Sequence, residues 1–396
     1  MKFSKNVIIL SFVSLLNDVA GETVRRLIPL FLSTVLGVQT SIIGLIEGVG
    51  EATPHIFEPI SGYISDKTEK RKIFVVFGQI LRASMILFIF VTSWPQALLI
   101  RFLDRTGKGI ALAPRDSLIA ASTKDGHQGR SFGLNRAMDN LGATMGIILI
   151  IATILLIHNP EFLNRSVFQF LIIIIAAPAL FVALLLLMFM VRDKKDGEKG
   201  FEFHDHLGKD YYIFLVLSFL FSIGNFSDGF LVLRASELGL SLVSIFALLA
   251  VFTLSSTLIS LPAGNYSDHH QRKLVLVLGW LIFSGSYIGF GMATSLWQLL
   301  PLFIIYGLYY GITQGVAKAM ISDLVPQAKR GLAFGLYSMI LGLGLLPASV
   351  LAGYLWQRFD PSITFYTGSS FAVIAALGLL FFLPKPKQKW WQVWDK

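Results

Sequence analysis

The chain of 396 residues contains no cysteine, which excludes disulfides, iron–sulfur clusters and thiolate metal sites and leaves the redox compartment open. It is also poor in charge. Asp, Glu, Lys and Arg make up 14% of it, against roughly 25% in an ordinary soluble domain. No HExxH, no P-loop and no Gly-x-Ser-x-Gly sequence occurs, so no enzyme signature is present and no cofactor is expected. Nor is there a polar stretch large enough for a soluble domain. What fills the chain is apolar: 54% of its residues are hydrophobic, and Phe168 to Val191 and Phe365 to Leu383 are two of many long apolar runs. Each is about the 20 residues needed to cross a hydrocarbon core.

With glycine, proline and charge clusters taken as breaks, helices are expected near 7–34, 41–63, 73–92, 96–121, 131–157, 167–191, 211–237, 241–263, 274–293, 297–321, 332–355 and 364–383. The start of the chain, with Lys2 and Lys5 before the first apolar run, reads as the first helix, because no small-residue cleavage site follows it. Lys and Arg gather in the loops on the side of both ends, while Arg165 and Arg358 fall on the other. The positive-inside rule then predicts cytoplasmic termini in an inner or plasma membrane. The formal net charge of +9 therefore marks topology, and no nucleic-acid partner is expected.

Features recur at one constant offset of 202 residues: Gly37 with Gly239, Gly62 with Gly264, Ser65-Asp66 with Ser267-Asp268, and Phe132-Gly133-Leu134 with Phe334-Gly335-Leu336. An even number of spans lies within that offset, so the halves are parallel repeats. The fold expected is an all-α membrane protein of twelve transmembrane helices in two parallel six-helix bundles. The first bundle covers 1–191, a cytoplasmic linker 192–210, and the second bundle with a short tail 211–396. Carriers built from such repeats bind their solute between the halves and rock around it.

The loop after the second helix carries Gly62, Asp66, Lys67, Lys70 and Arg71, and its second copy Gly264, Asp268, Arg272 and Lys273. This pattern resembles the loop motif of the major facilitator superfamily, with Glu69 in place of the motif's second glycine, and the resemblance extends over the whole chain. It implies secondary active transport by alternating access, with these residues acting in gating. Arg101 leads a stretch that matches the family's helix 4 motif only in that arginine. Gly142 to Gly146 keeps the glycines of the helix 5 element of proton-drug antiporters and lacks its proline.

Charges inside spans are costly, so each should face the protein interior and find a partner. At helical periodicity Asp18, Glu22, Arg25 and Arg26 share one face of the first helix, and Glu47, Glu51, His55 and Glu58 one face of the second. Arg101, Asp104, Arg105, Lys108 and Arg115 line the fourth; Arg82 and Arg136, Asp139 and Asn140 come from the third and fifth. The second half is polar and aromatic instead: Ser218, Ser222, Asn225 and Asp228 on helix 7, and Tyr306, Tyr310, Thr313, Gln314 and Lys318 on helix 10. The substrate and coupling residues expected are Asp18, Glu22, Arg25, Arg26, Glu47, Glu51, His55, Arg101, Asp104, Arg105, Arg136, Asn225, Asp228, Tyr310 and Gln314, with Asp18, Glu22 and Glu51 preferred for protonation.

The buried arginines favour a small carboxylate-bearing solute, a siderophore for example, because guanidinium pairs bidentately with carboxylate. The coupling expected is to protons. A proton-driven multidrug exporter is the alternative, and a non-transporting receptor or scaffold and an intramembrane hydrolase are readings of other classes. Glu47, Glu51, His55 and Glu58 have a spacing that could ligate a metal, but packing or gating is the preferred reading and no metal is expected. His204 to His206 read as a solvated loop, and Trp390, Trp391 and Trp394 after Lys385 to Lys389 as an interfacial anchor on lipid. A monomer in the bilayer is expected.

Overall fold

The computed structural model describes residues 3–68, 70–123, 128–157, 163–193, 207–325 and 330–383. They form twelve long helices: α1 Lys5–Val35, α2 Thr40–Thr68, α3 Arg71–Phe90, α4 Trp94–Ala121, α5 Gln128–Leu156, α6 Arg165–Phe189, α7 Lys209–Glu237, α8 Leu242–His269, α9 Arg272–Met292, α10 Leu296–Leu324, α11 Arg330–Arg358 and α12 Pro361–Phe382. Ten of them are long and apolar enough to cross a membrane. The other two, α2 and α4, are as long but carry the acidic and basic stripes, Glu47 to Glu58 and Arg101 to Arg115. Helices suit such a chain because each satisfies its own backbone hydrogen bonds in lipid.

Helices α1–α6 and α7–α12 form two bundles that repeat each other in detail. Gly37 and Gly239, at the turns into α2 and α8, have φ of 62° and 74°, a left-handed backbone that glycine adopts without strain. Ser65 and Ser267 hydroxyls donate to the carbonyls of Gly62 and Gly264 at 3.0 and 2.7 Å. At the turns before α4 and α10, the Gln96 and Gln298 side-chain carbonyls accept from the N–H of Thr92 and Thr294 at 2.9 and 2.7 Å. These two caps stand at the same 202-residue offset. The expected linker at 192–210 lies mostly outside the described residues, as do His204 to His206 and the tryptophan tail.

One expectation is corrected. Helix 7, read as continuous over 211–237, is broken: α7 stops at Gly224 and resumes at Gly229, with Asn225 to Asp228 non-helical between. Asn, Ser and Asp side chains compete for backbone groups, and irregular backbone is tolerated at membrane depth where it is buried in protein. Two π-helical stretches occur as well: Phe31–Val35, just after Pro29, ends α1, and Ile172–Ala176 interrupts α6.

The halves touch on the side away from the chain ends, here called the opposite face. Small residues let α2 and α11 approach closely: a Cβ on Gly48 would stand 2.9 Å from the Leu346 carbonyl oxygen, and one on Gly353 2.6 Å from that of Thr40. Among the described residues, the hydrogen bonds and ion pairs between halves run through Arg26, Ser41, Glu47 and His55 on one side and Ser227, Asp228, Ser338 and Gln357 on the other. Toward the face bearing the chain ends, Tyr63, Ile64 and Arg136 of the first half and Leu258, Gln314 and Lys318 of the second are exposed. The molecule is closed at the opposite face and opens toward its ends.

Candidate functional site

The charged stripes of α1, α2 and α4 meet where the closed region begins. Glu22 accepts from Arg25 at 2.6 Å and from Arg26 at 2.8 Å, one turn apart on α1. Arg25 also faces Glu51 of α2 at 3.7 Å. Arg101 of α4 lies 3.5 Å from Glu47 and 3.8 Å from Glu51, and its side chain has no exposed surface. Neighbouring Asp104 and Arg105 pair at 3.2 Å, both deeply buried. A charge stranded here would cost about 2.5 kcal/mol or more, which explains why acid and base alternate from helix to helix.

The network crosses into the second half at the break in α7. Arg26 faces Asp228 at 3.6 Å and lies over the Phe252 ring at 5.8 Å. The Ser227 hydroxyl donates to Glu47 at 2.7 Å. Asp228 accepts from the Tyr306 hydroxyl at 2.9 Å, and Asn225 donates to Tyr309 at 3.1 Å. Behind them stands an aromatic cluster, with Phe283 and Tyr287 4.0 Å apart between ring centres and Tyr309 4.9 Å from Phe283. Tyr310 packs edge-on against Phe252 and is only partly buried.

Partial exposure separates two layers. Arg25, Glu51 and Asp228 keep 23%, 25% and 20% of their side-chain surface, so they face the opening; Arg101, Glu47, Asp104 and Arg105 lie behind them. Tyr310 of α10 is within electrostatic reach of Arg25, Arg136 and Glu51, across the gap between halves. These groups bound one chamber. Asp18 and Lys108 are partly buried within electrostatic reach of each other. Arg136 and Gln314 are exposed on the chamber's way out.

His55 lies 2.8 Å from the Ser338 hydroxyl of α11, and a Cβ on Gly342 would press on its ring. It bridges the halves. Among the described residues no three ligating side chains gather as a metal would require. Of the loop motif, Arg71 is buried and Lys70 exposed, and Gly62 packs so that a Cβ would meet Ala113 at 3.1 Å, whereas Gly264 faces open space. Arg272 pairs with Asp323 at 2.7 Å, tying α9 to α10. The side chains of Asp66 and Asp268 lie outside the described residues.

The sequence reading missed Ser227, which holds Glu47, and Trp356, which donates to Glu237 at 2.7 Å. A usable signal existed. Arg26 and Asp228 occupy equivalent positions of the two repeats, 202 residues apart, so the repeat alone faces α1 with the α7 break across the axis between halves.

The sequence profile of the Major Facilitator Superfamily matches residues 10–233 and 211–393. The chain belongs to that superfamily. It is 36% identical over 390 residues to an uncharacterized MFS-type transporter of Methanocaldococcus jannaschii, covering 96% of this chain and 95% of that one. Multidrug resistance protein 1 of Bacillus subtilis is 26% identical over 153 residues, 39% of each chain. Among solved structures, the nucleoside transporter NupG superposes with a TM-score of 0.76 at 13% identity, covering 95% of this chain and 98% of that one. The inward-open xylose transporter XylE from E. coli gives 0.73 at 15% identity, covering 97% of each. The protein is thus a multi-pass membrane transporter of the secondary kind, with its charged network at the meeting of the two bundles.

Proposed function

We propose that this transporter moves a small carboxylate-bearing solute together with protons, by alternating access across the inner or plasma membrane, as a monomer with both termini in the cytoplasm. One observation carries the reading: Arg25, at the exposed edge of the network, is shared between Glu22 at 2.6 Å and Glu51 at 3.7 Å. Protonation of Glu51 leaves Arg25 a vacant bidentate edge, and a solute carboxylate takes it. Lys108 beside Asp18 and the exposed Arg136 add positive charge that draws an anion toward that edge, and Tyr310 and Gln314 offer it hydrogen bonds from the other half. Arg101 and Arg105 stand too deep to touch a solute and serve to hold the acids in place.

The test is uptake into proteoliposomes under an imposed pH gradient, with organic anions and ferric siderophores screened beside cationic dyes. Gradient-driven anion uptake, lost in Glu51→Gln and Arg25→Ala, is the expected result; movement of an anion that ignores both the gradient and the two variants would sink the reading. The second reading is a proton-driven multidrug exporter. It is favoured by the resemblance to multidrug, tetracycline and quinolone resistance proteins and by the aromatic second half, and it requires the cationic dyes to move instead.

A further inference from the structure

The 202-residue offset sets α2 on α8 and α5 on α11, so the two seams between the halves, α2 with α11 and α5 with α8, are counterparts of each other. They do not meet alike. On α2–α11 the helices stay close for much of their length: Gly353 lies against Thr40 at the opposite face, Gly48 against Leu346 farther in, and Gly342 against the His55 ring, whose Nδ1 is 2.8 Å from the Ser338 hydroxyl. The close approach stops there, because a Cβ on Gly335, two turns nearer the chain ends on the same stripe of α11, would meet nothing within 4 Å. On α5–α8 the counterparts of His55, Ser338 and Gly342 are Thr257, Arg136 and Asn140, and all three are exposed. Toward the opposite face the same stripe of α5 is covered, with Ile147 and Ile154 buried, as are Leu242 and Phe246 of α8. This seam parts sooner than the other.

Two rigid bundles that rock against each other turn about the points where their contact ends. On one seam that point is His55, and on the other it lies nearer the opposite face than Asn140 and Thr257. We infer that His55 is a positioning residue, the fulcrum of the rocking motion, and that its seat on Ser338 and Gly342 is kept whichever way the chamber faces. Its chemistry suits the role. A flat ring laid where Gly342 has no side chain can tilt without meeting a methyl group, and the Ser338 hydroxyl can rotate to follow the ring nitrogen. When the opposite face opens, α2 and α11 separate from His55 outward, and most of the closure toward the chain ends falls to α5 and α8, where the gap is already wider. The inference rests on the alternating access of the proposed function, and on neither the solute nor the coupling ion.

The chain has no native cysteine, so spin-label pairs can read one seam at a time, by pulsed electron spin resonance on the full chain in lipid nanodiscs with no solute present. Gln39→Cys with Arg358→Cys reads the opposite-face end of α2–α11, the exposed pair Ile60→Cys with Leu343→Cys flanks His55, and Asn140→Cys with Thr257→Cys reads the counterpart on α5–α8. Asp228→Asn, or Arg26→Gln where that chain does not fold, removes the ion pair between halves and populates the state open at the opposite face. The opposite-face pair is expected to lengthen and the α5–α8 pair to shorten, while the pair flanking His55 keeps its distribution. His55→Ala should set that flanking pair moving with the others, and His55→Gln, which can still bond Ser338, should hold it again. A flanking pair that shifts as far as the α5–α8 pair while His55 is present, or that stays still in His55→Ala, overturns the fulcrum. A thioether cross-link decides the matter without any shift of population. Joining Ile60→Cys to Leu343→Cys should leave most of the uptake of whichever screened anion or dye the unlinked chain moves, and joining Gln39→Cys to Arg358→Cys should abolish it; loss of uptake with both overturns the inference. Failure of anions alone to move would overturn the proposed solute and leave the fulcrum standing.

Discussion

Arg101, Asp104 and Lys108 of α4 occupy the repeat positions of Phe303, Tyr306 and Tyr310 of α10. The same helix in the same place is built once from charges and once from aromatic rings. In α4 the charges find partners on α1 and α2, at separations of 3.5 and 3.8 Å for Arg101. In α10 the rings pack among themselves and their neighbours, Tyr306 against Phe252 at 5.3 Å and Phe290 against Phe303 at 5.3 Å. Both solutions fill the interior, but they respond differently. An aromatic contact keeps its energy whatever the protonation state around it, whereas an ion pair in low dielectric changes steeply when one partner loses its charge. The contacts of the charged bundle depend on protonation, and those of the aromatic bundle do not.

The contrast can be broken most forcefully at its centre. Arg101→Ala leaves Glu47 and Glu51 facing each other without a cation and should cost about 3–5 kcal/mol, as breaking a buried pair does. Phe303→Ala should cost about the same from lost packing. Thermal unfolding in detergent is expected to place the two variants together, while uptake assays separate them, with transport abolished in Arg101→Ala and retained at reduced protein yield in Phe303→Ala. Equal uptake from both would erase the distinction between the halves.

The contact between the halves gives the next largest effects. Arg26→Asp and Asp228→Arg should each weaken the closed state, and the double exchange should recover about 1–3 kcal/mol of coupling in a double-mutant cycle, read from opposite-face label distances. Gly229→Ala places a Cβ 2.9 Å from Pro29 and 3.2 Å from the Glu47 carboxylate, and overpacking of that kind costs about 1–3 kcal/mol. Gly264→Ala, with nothing within 4 Å, should stay within about 0.5 kcal/mol; a matching loss at both glycines would show that the close approach at Gly229 does not matter. The smallest effect is Tyr310→Phe, which removes one hydroxyl from the chamber and should raise the solute KM about threefold to tenfold, the worth of one hydrogen bond of about 0.5–1.5 kcal/mol.

Much of the architecture was legible along the chain. Gly37 and Gly239 announce the repeat because the turn that each occupies needs a left-handed residue. The stripes of α2 and α4 were legible as interior faces because a charge has nowhere else to go in a membrane. The break in α7 was not, since Ser218, Ser222, Asn225 and Asp228 fit one side of a helix by spacing and the choice to unwind depends on what lies across from them. Nor could spacing separate Arg25 at the rim of the chamber from Arg101 buried behind it, as the two side chains have the same chemistry on helices of the same pattern.

The sequence by itself determined the number of spans, the doubling of the bundle and the assignment of charge to one half, because hydropathy, turn chemistry and repeat offset are local properties of the chain. Only the tertiary structure decided which acid meets which base, that Glu47 reaches across to Ser227, and that the molecule closes at one face and opens at the other. Those depend on distances of a few ångströms between residues far apart in sequence, and in a medium of low dielectric such distances set the energy of every pair.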